Sequence, residues 1–181
     1  QAQVALDKLG WRLQPRTGGT RTFAELFPRF SPNDLQRTVE DVSKQLTQPG
    51  LVIIEAPMGE GKTEAAMYLA DHWAESTGQQ GCYFALPTQA TSNQMFGRVR
   101  DFLESRYEGD QVQLQLLHGH AALSSEFQLL RRNNDRMFTP VYGGVEDDAG
   151  DPAVVAAEWF TYRKRGILAP FGVGTVDQVL L

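Results

Sequence analysis

The sequence predicts an α/β fold in which helices cover both faces of a parallel β-sheet. Short apolar runs bounded by turn residues, such as residues 51–54 and 82–86, are typical of buried parallel strands. Each run is followed by a loop and then by a segment with the apolar spacing of a helix. Further strands are predicted around residues 112–116 and 167–175, so the chain contains four strand–loop–helix units.

A glycine-rich loop follows the first predicted strand. Residues 56–63, APMGEGKT, match the pattern of a phosphate-binding loop, with alanine in place of its first glycine. The glycines let successive backbone N–H groups point at phosphate oxygens, and the start of the next helix adds partial positive charge. The alternative is a chance glycine-rich turn. The apolar strand before the loop and the Lys-Thr pair at its end favour a nucleotide site, and so predict a P-loop NTPase.

The residue types assign the roles within this loop. Lys62 is the candidate catalytic residue, because its ammonium group can reach the β- and γ-phosphates of ATP. Thr63 is the candidate ligand of the Mg²⁺ that accompanies ATP. The candidate nucleotide-binding residues of the loop are Met58, Gly59, Glu60, Gly61, Lys62, Thr63 and Glu64. The helix that follows is predicted to place Ala66, Leu69, Ala70 and Trp73 on one face.

Composition excludes several classes of protein. No apolar run approaches the ~20 residues of a membrane span, and the N-terminal residues lack the pattern of a signal peptide. A net charge of −5 argues against a surface coated in nucleic-acid-binding charge, although a local groove remains compatible with it. The single cysteine, Cys82, is predicted to be a small buried residue within a strand. We therefore expect a cytoplasmic protein without disulfides.

A helix is predicted upstream of the phosphate loop. Pro32 precedes a polar cap at Asn33, and the apolar spacing carries the helix to about residue 46. The amide of Gln36 offers one donor and one acceptor, which could read adenine, but a solvent-facing helix glutamine is an equally open reading. Residues 1–30 are expected to form an irregular lead-in that packs through scattered aromatic side chains.

Polar residues gather after the later strands, where open α/β sheets bind ligands. Hydroxyls and amides at these positions suit sugar-phosphate contacts, although Thr88 or Thr91 could equally cap a helix running to about residue 107. His118 and His120 flank Gly119, and this pair is read as a strand-end turn, or as close approach of a nucleic-acid backbone, rather than a zinc site. Lys62–Thr63, Thr88, Gly119 and Thr175 are all expected near one sheet edge. The candidate nucleic-acid-binding residues are Thr88, Gln89, Thr91, Asn93, Gln94, His118, Gly119, Gly174 and Thr175.

The remaining segments give weaker signals. Glutamines alternate with apolar residues over 111–116, which predicts a half-exposed strand. A short helix over 123–132, a long loop over 133–152 and a helix over 153–162 are expected next. After the strand at 167–175, Thr175 is predicted to begin a last helix with Asp177 in its first turn. This helix is cut in its second turn, so we expect the chain to be a fragment.

Four stretches resemble the CRISPR-associated helicase–nuclease of type I systems, a superfamily-two enzyme recruited by the Cascade complex. They are APMGEGKTEAA (56–66), FALPTQATSNQMF (84–96), LLHGHAAL (116–123) and RKRGILAPFGVGTVDQVLL (163–181). The resemblance implies that residues 31–181 are most of a first RecA-like domain, truncated before the DExH motif, and that residues 1–30 are a lead-in. It implies ATP and Mg²⁺ at Lys62 and Thr63, Gln36 in an adenine-recognising motif, and Thr88, Gly119 and Thr175 along a path for single-stranded DNA.

The family's remaining parts are absent from this sequence. These are the DExH motif, the second RecA-like domain and the HD nuclease domain. The expected partners are the two missing domains, Cascade and single-stranded DNA. We therefore predict that the chain alone binds nucleotide weakly and neither hydrolyses it nor cuts DNA. Other readings remain open: another superfamily-two helicase or translocase, a P-loop kinase or regulatory nucleotide-binding module, or an interaction domain with a vestigial loop.

Overall fold

A computed structural model describes residues 19–79, 81–107, 112–119, 121, 124–138, 154–156 and 165–180 of the chain. The chain divides into two compact units, one formed by residues 14–81 and the other by residues 1–13 with 82–181. The first unit carries the phosphate loop and the second carries the β-sheet.

The described residues of the phosphate-loop unit form the helices α1 (Phe23–Leu26), α2 (Asp34–Ser43) and α3 (Lys62–Thr77). Thr22 and Glu25 form a capping box at the start of α1, and Asn33 and Gln36 form another at the start of α2. The core lies where α2 packs on α3, and the Phe23 ring lies 5.9 Å from the ring of Tyr68. Helix α2 ends at Ser43, earlier than the predicted residue 46, and Val42 near its end is exposed.

Helix α3 confirms the predicted helix but buries a different set of residues. Leu69 is buried as expected, whereas Ala66 is exposed and Ala70 and Trp73 are half-buried. Its buried stripe is centred on Tyr68, because this ring packs against α1. The Trp73 indole N–H instead donates to the Gln48 carbonyl at 2.8 Å, which ties α3 to the segment before the phosphate loop. The buried members of α3 are Ala65, Met67, Tyr68, Leu69, Asp71 and Ala74.

The predicted buried strand at residues 51–54 is wrong for this structure. These residues form neither strand nor helix, and Leu51 and Ile53 are 85% and 74% exposed. A parallel strand is stable only when a neighbour satisfies its backbone groups and covers its side chains. Within the described residues, the segment is hydrogen-bonded to no strand.

The sheet unit contains β1 (Cys82–Leu86), α4 (Gln89–Arg106), β2 (Val112–Leu117), α5 (Ser125–Phe138), β3 (Val154–Val155), β4 (Phe171–Thr175) and α6 (Asp177–Leu180). Its strands lie in the order β1-β4-β2-β3, and every described pairing is parallel. This confirms the predicted parallel α/β class. The predicted helix after Thr88 is also confirmed, and α4 buries its apolar positions Phe96, Val99, Phe102 and Leu103.

Position in the sheet corrects two burial predictions. Strand β2 lies between β4 and β3, and all six of its residues are buried, so the half-exposed strand predicted from its glutamines is wrong. Gln113 and Gln115 are each 1% exposed, because both faces of an inner strand are covered. Strand β1 lies at an edge of the described sheet, and Cys82 is therefore half-buried rather than fully buried.

The last third of the chain departs most from prediction. Helix α5 continues through residues 133–138, where a loop was expected, because a helix once nucleated extends across residues of modest propensity. The rest of that predicted loop, 139–152, lies outside the described residues. Residues 154–155 pair with β2 instead of starting a helix, and 157–162 are not described.

The final predicted strand is shorter than residues 167–175. A 3₁₀ turn, Gly166–Leu168, precedes it, and the strand itself begins at Phe171, after Pro170. Proline has no N–H to donate to a sheet, which is consistent with this start. Thr175 is the last residue of β4, and the helix predicted to begin there starts at Asp177, which is in its first turn as expected.

Candidate nucleotide and nucleic-acid sites

The phosphate loop has the backbone conformation that its sequence predicts. Gly59 and Gly61 have φ angles of +86° and +70°, a region that side-chain-bearing residues rarely adopt. Gly61 is the residue immediately before α3, so Lys62 and Thr63 open that helix. Met58 is 97% exposed, and Gly59 and Glu60 are exposed as well. The loop therefore presents its N–H groups and the positive end of α3 to solvent.

Lys62 is folded back onto its own loop. Its Nζ donates to the carbonyl of Ala56 at 2.5 Å and to the carbonyl of Pro57 at 2.6 Å. The ammonium group is thus held at the mouth of the loop by neutral acceptors. A phosphate group would compete with these carbonyls, because a charged acceptor binds an ammonium more strongly than a neutral one does.

Gln36 lies against the phosphate loop and is 5% exposed, so the reading of a solvent-facing glutamine is wrong. Its amide oxygen accepts from the Asn33 N–H at 3.0 Å, and its amide nitrogen donates to the Gly61 carbonyl at 3.4 Å. Asn33, which the sequence indicated only as a helix cap, donates from Nδ2 to the Glu60 carbonyl at 3.0 Å. Sequence reasoning missed this second contact, because no local pattern links residue 33 to residue 60.

The strand register brings the later candidate residues to one edge of the sheet. Leu86 of β1 pairs with Thr175 of β4, and Leu117 of β2 pairs with Gly174. The carboxyl ends of these strands therefore align, and residues 88, 118–119 and 174–175 follow or end them. This agrees with the predicted gathering of Thr88, Gly119 and Thr175. Lys62 and Thr63 belong to the other unit.

The first turn of α4 is shaped by a capping box. The Thr91 N–H donates to the Thr88 hydroxyl at 3.2 Å, the Thr88 N–H donates to the Thr91 hydroxyl at 3.3 Å, and the two hydroxyl oxygens lie 2.9 Å apart. The predicted capping role is confirmed, and both threonines remain exposed to a ligand. Gln89 lies near Gly119, since a Cβ built on Gly119 would lie 3.6 Å from its amide nitrogen.

Two candidate residues from different elements contact each other. The buried His118 places Nε2 2.9 Å from Oδ1 of Asn93, so the amide of Asn93 fixes the turn after β2 to helix α4. Gln94, the next residue, is exposed. Asn93 and Gln94 are both exposed, and Asn93 differs in its contact with the buried His118.

Gly174 and Thr175 are both buried at the end of β4. A Cβ on Gly174 would overlap the Leu117 carbonyl and the Tyr83 hydroxyl, so this glycine permits close approach within the sheet. The Tyr83 hydroxyl donates to the Thr175 carbonyl at 3.3 Å, and burial raises the pKa of Tyr83, with the nearby Asp177 adding to the effect. Sequence reasoning did not single out Tyr83.

Thr175 also orients the start of α6. Its hydroxyl hydrogen-bonds to the Asp177 carboxylate and, together with the Gln178 amide, lowers the pKa of Asp177 below its usual value. The Gln178 amide nitrogen lies 3.0 Å from that carboxylate. The Thr175 hydroxyl is therefore hydrogen-bonded within the protein, and a ligand at this edge would contact the neighbouring residues instead.

Among the described residues, no group of three or more His, Cys, Asp or Glu side chains is arranged to hold a metal ion. His120 lies outside that part of the chain. None of the helices that the structure describes is long and apolar enough to cross a membrane.

A glycine loop with two left-handed glycines, a Lys-Thr pair opening a helix, and a parallel α/β sheet together define the class of P-loop nucleotide-binding proteins. No known family profile matches the chain. It is 46% identical over 99% of its length to the CRISPR-associated endonuclease/helicase Cas3 of Thermus thermophilus, and 41% identical over 84% of its length to the CRISPR-associated nuclease/helicase Cas3 of Streptococcus thermophilus.

Solved structures give the same result. The chain aligns over 99% of its length with the crystal structure of T. fusca Cas3-ATP, at 40% identity and a TM-score of 0.77. The chain belongs to the Cas3 family of CRISPR-associated helicase–nucleases, and its predicted RecA-like class is confirmed. It spans 19% of the Thermus relative and 16% of the Streptococcus relative.

Proposed function

We propose that the chain supplies the ATP-binding part of an ATP-dependent helicase that moves along single-stranded DNA in CRISPR interference. The observation that carries this proposal is the phosphate loop, with Gly59 and Gly61 in left-handed conformations and Lys62–Thr63 at the start of α3. The relatives named as Cas3 helicases, and the Cas3 structure titled with ATP, support it. ATP is accordingly the proposed nucleotide.

The proposal gives separate roles to the backbone N–H groups, to Lys62 and to Gln36. The N–H groups at the start of α3 receive the phosphate oxygens, and the positive end of the helix stabilises their charge. Lys62 leaves the carbonyls of Ala56 and Pro57 and binds the β- and γ-phosphates. Gln36, already beside Gly61, is the proposed contact to adenine.

Mg²⁺ is the proposed metal of the site. Thr63 stands in the first turn of α3, directly after Lys62, and its hydroxyl is the kind of hard oxygen ligand that Mg²⁺ takes. When bound, the ion would supply positive charge beside the phosphates and would stabilise negative charge that develops during transfer. Thr63 would share the ion with the phosphates of ATP.

The carboxyl edge of the sheet unit is the proposed path of the DNA strand. Its exposed candidates are Thr88, Thr91, Asn93, Gln94 and Gly119, while Gln89 is half-buried. Hydroxyl and amide groups bind sugar and phosphate without reading sequence, as a motor that moves along any strand requires. His118, Gly174 and Thr175 are proposed to shape this edge from within, and Asn93, which contacts His118, is proposed to fix the turn after β2 to α4.

The wider assembly is also part of the proposal. Residues 31–181 would form a first RecA-like domain that acts with a second RecA-like domain and an HD nuclease domain. A Cascade-type surveillance complex is the proposed recruiting partner. The single cysteine, Cys82, is consistent with work in the reducing cytoplasm.

ATP hydrolysis by a full-length protein that carries this chain tests the proposal. Rates are measured with and without single-stranded DNA, beside the Lys62→Ala variant. We expect strong stimulation by DNA and a loss of about 10²-fold or more in the variant, because Lys62 is proposed to stabilise charge in the transition state. Lys44→Ala is the control, since Lys44 is an exposed lysine paired with Asp41 at 2.9 Å.

Two results would contradict this scheme. Hydrolysis that is indifferent to nucleic acid would favour a kinase or regulatory module over a motor. Multiple turnover by the 181-residue chain alone, abolished by Lys62→Ala, would overturn the expectation that this part is inactive by itself.

A further inference from the structure

Two side-chain amides join the start of α2 to the phosphate loop. The Nδ2 of Asn33 donates to the Glu60 carbonyl at 3.0 Å, and the Nε2 of Gln36 donates to the Gly61 carbonyl at 3.4 Å. The same two amides cap α2, because Asn33 Oδ1 accepts from the Gln36 N–H at 3.0 Å and Gln36 Oε1 accepts from the Asn33 N–H at 3.0 Å. Each amide therefore uses its oxygen for the helix and its nitrogen for the loop.

The loop carbonyls that these amides hold decide where the next N–H groups point. In a trans peptide the C=O and the N–H lie in one plane and point in opposite directions. Holding the Glu60 carbonyl towards Asn33 thus turns the Gly61 N–H away from α2. The Gly61 carbonyl also accepts the first helical bond, from the Ala65 N–H at 3.1 Å. Because this carbonyl is held, the Lys62 N–H is likewise turned away from α2.

We propose that Asn33 is a positioning residue for phosphate binding, with Gln36 as its partner. This inference rests on the proposed function of the loop as the ATP site. By fixing the peptide between Glu60 and Gly61, Asn33 orients an N–H donor before the nucleotide arrives. Preorganised donors bind an anion more tightly, because less conformational freedom is lost on binding.

The amide of asparagine is the feature that separates this role from helix capping. Serine and threonine cap helices about as well as asparagine does, because they too present an acceptor oxygen. Neither has a second polar atom that extends to the Glu60 carbonyl while the first one caps α2. Asn33→Ser and Asn33→Thr therefore keep the cap and remove the loop contact, whereas Asn33→Ala removes both.

The test compares these variants in a full-length protein that carries the chain. Affinity is measured for ATP and for inorganic tripolyphosphate, and Tm is measured without ligand. We expect Asn33→Ser to weaken both affinities by about three- to tenfold, the effect of one lost hydrogen bond, with Tm close to that of the unmodified protein. Asn33→Ala should lose the same affinity and also lower Tm.

Controls separate this inference from the proposed function. Thr22→Ala removes the capping box of α1, in which Thr22 hydrogen-bonds to Glu25 rather than to the loop, and should lower Tm without changing affinity. If Asn33→Ser and Asn33→Thr bind both ligands as tightly as the unmodified protein, Asn33 is only a cap and the inference is wrong. If the unmodified protein binds neither ligand, or binds them equally well after Lys62→Ala, the proposed ATP site itself is wrong.

Discussion

The phosphate loop and the carboxyl edge of the sheet hold their candidate residues by different means. In the loop, two left-handed glycines set the backbone and the amides of Asn33 and Gln36 hold it in place. At the sheet edge, candidate residues are aligned by the register of three parallel strands, and Gly174 packs directly against β2. One site is built from local turns and caps, and the other from pairing between distant segments.

The segment before the loop shows what this difference means. Residues 51–54 have the composition of a strand, yet they form no regular element, Leu51 and Ile53 are exposed, and no strand pairs with them in the described structure. The loop that follows still adopts its left-handed glycines and still opens α3. The phosphate loop therefore depends on nearby residues, whereas a strand depends on its neighbours in the sheet.

Substitution of Gly174 should have the largest effect on the sheet edge. Gly174→Ala places a methyl group onto the Leu117 carbonyl, which is backbone of the neighbouring strand and cannot rotate away. We expect the local free energy of opening to fall by about 3 kcal/mol, as for a severe overpacking. Hydrogen exchange of the β2 and β4 amides in a full-length protein measures this.

Gly119→Ala is the matched control for that variant. A Cβ at Gly119 would meet only the Gln89 amide at 3.6 Å, an ordinary contact distance. Exchange from β2 should therefore be almost unchanged. Equal effects of the two substitutions would show that strand packing does not govern this edge.

Alanine substitutions at Gly61 and Gly59 test whether the Gln36 amide supports the phosphate loop. Both have positive φ, so alanine at either position costs about 1 kcal/mol in backbone strain. Only at Gly61 would the new Cβ overlap the Gln36 amide, while nothing lies within 4 Å of a Cβ on Gly59. We expect Gly61→Ala to cost about 1 kcal/mol more than Gly59→Ala, the value of the Gln36 hydrogen bond that is lost.

Hydrogen exchange from the first turn of α3 measures both loop variants. Adding Gln36→Ala to Gly61→Ala should remove most of the additional cost of Gly61→Ala over Gly59→Ala, because the overlapping amide is gone. An equal cost at the two glycines would mean that Gln36 does not support the loop.

The same distinction explains what the sequence could predict. Strand β1, helix α4 with its Thr88 cap, and the glycine conformations of the loop follow from local patterns, and all were predicted. The burial of Gln113 and the unpaired state of residues 51–54 depend on which strands lie alongside, and no local pattern records that. The link from Asn33 to Glu60 was missed for the same reason.

The smallest predicted effect separates two adjacent candidates on α4. Asn93 bonds to the buried His118, so Asn93→Ala should raise exchange from the turn after β2 by an amount equivalent to about 1 kcal/mol. Gln94 is exposed, so Gln94→Ala should leave that exchange within about 0.5 kcal/mol of the original. If Gln94 touches DNA, as proposed, its loss should instead weaken single-strand affinity about threefold. A Gln94 variant with unchanged DNA affinity would exclude Gln94 from the path of the strand.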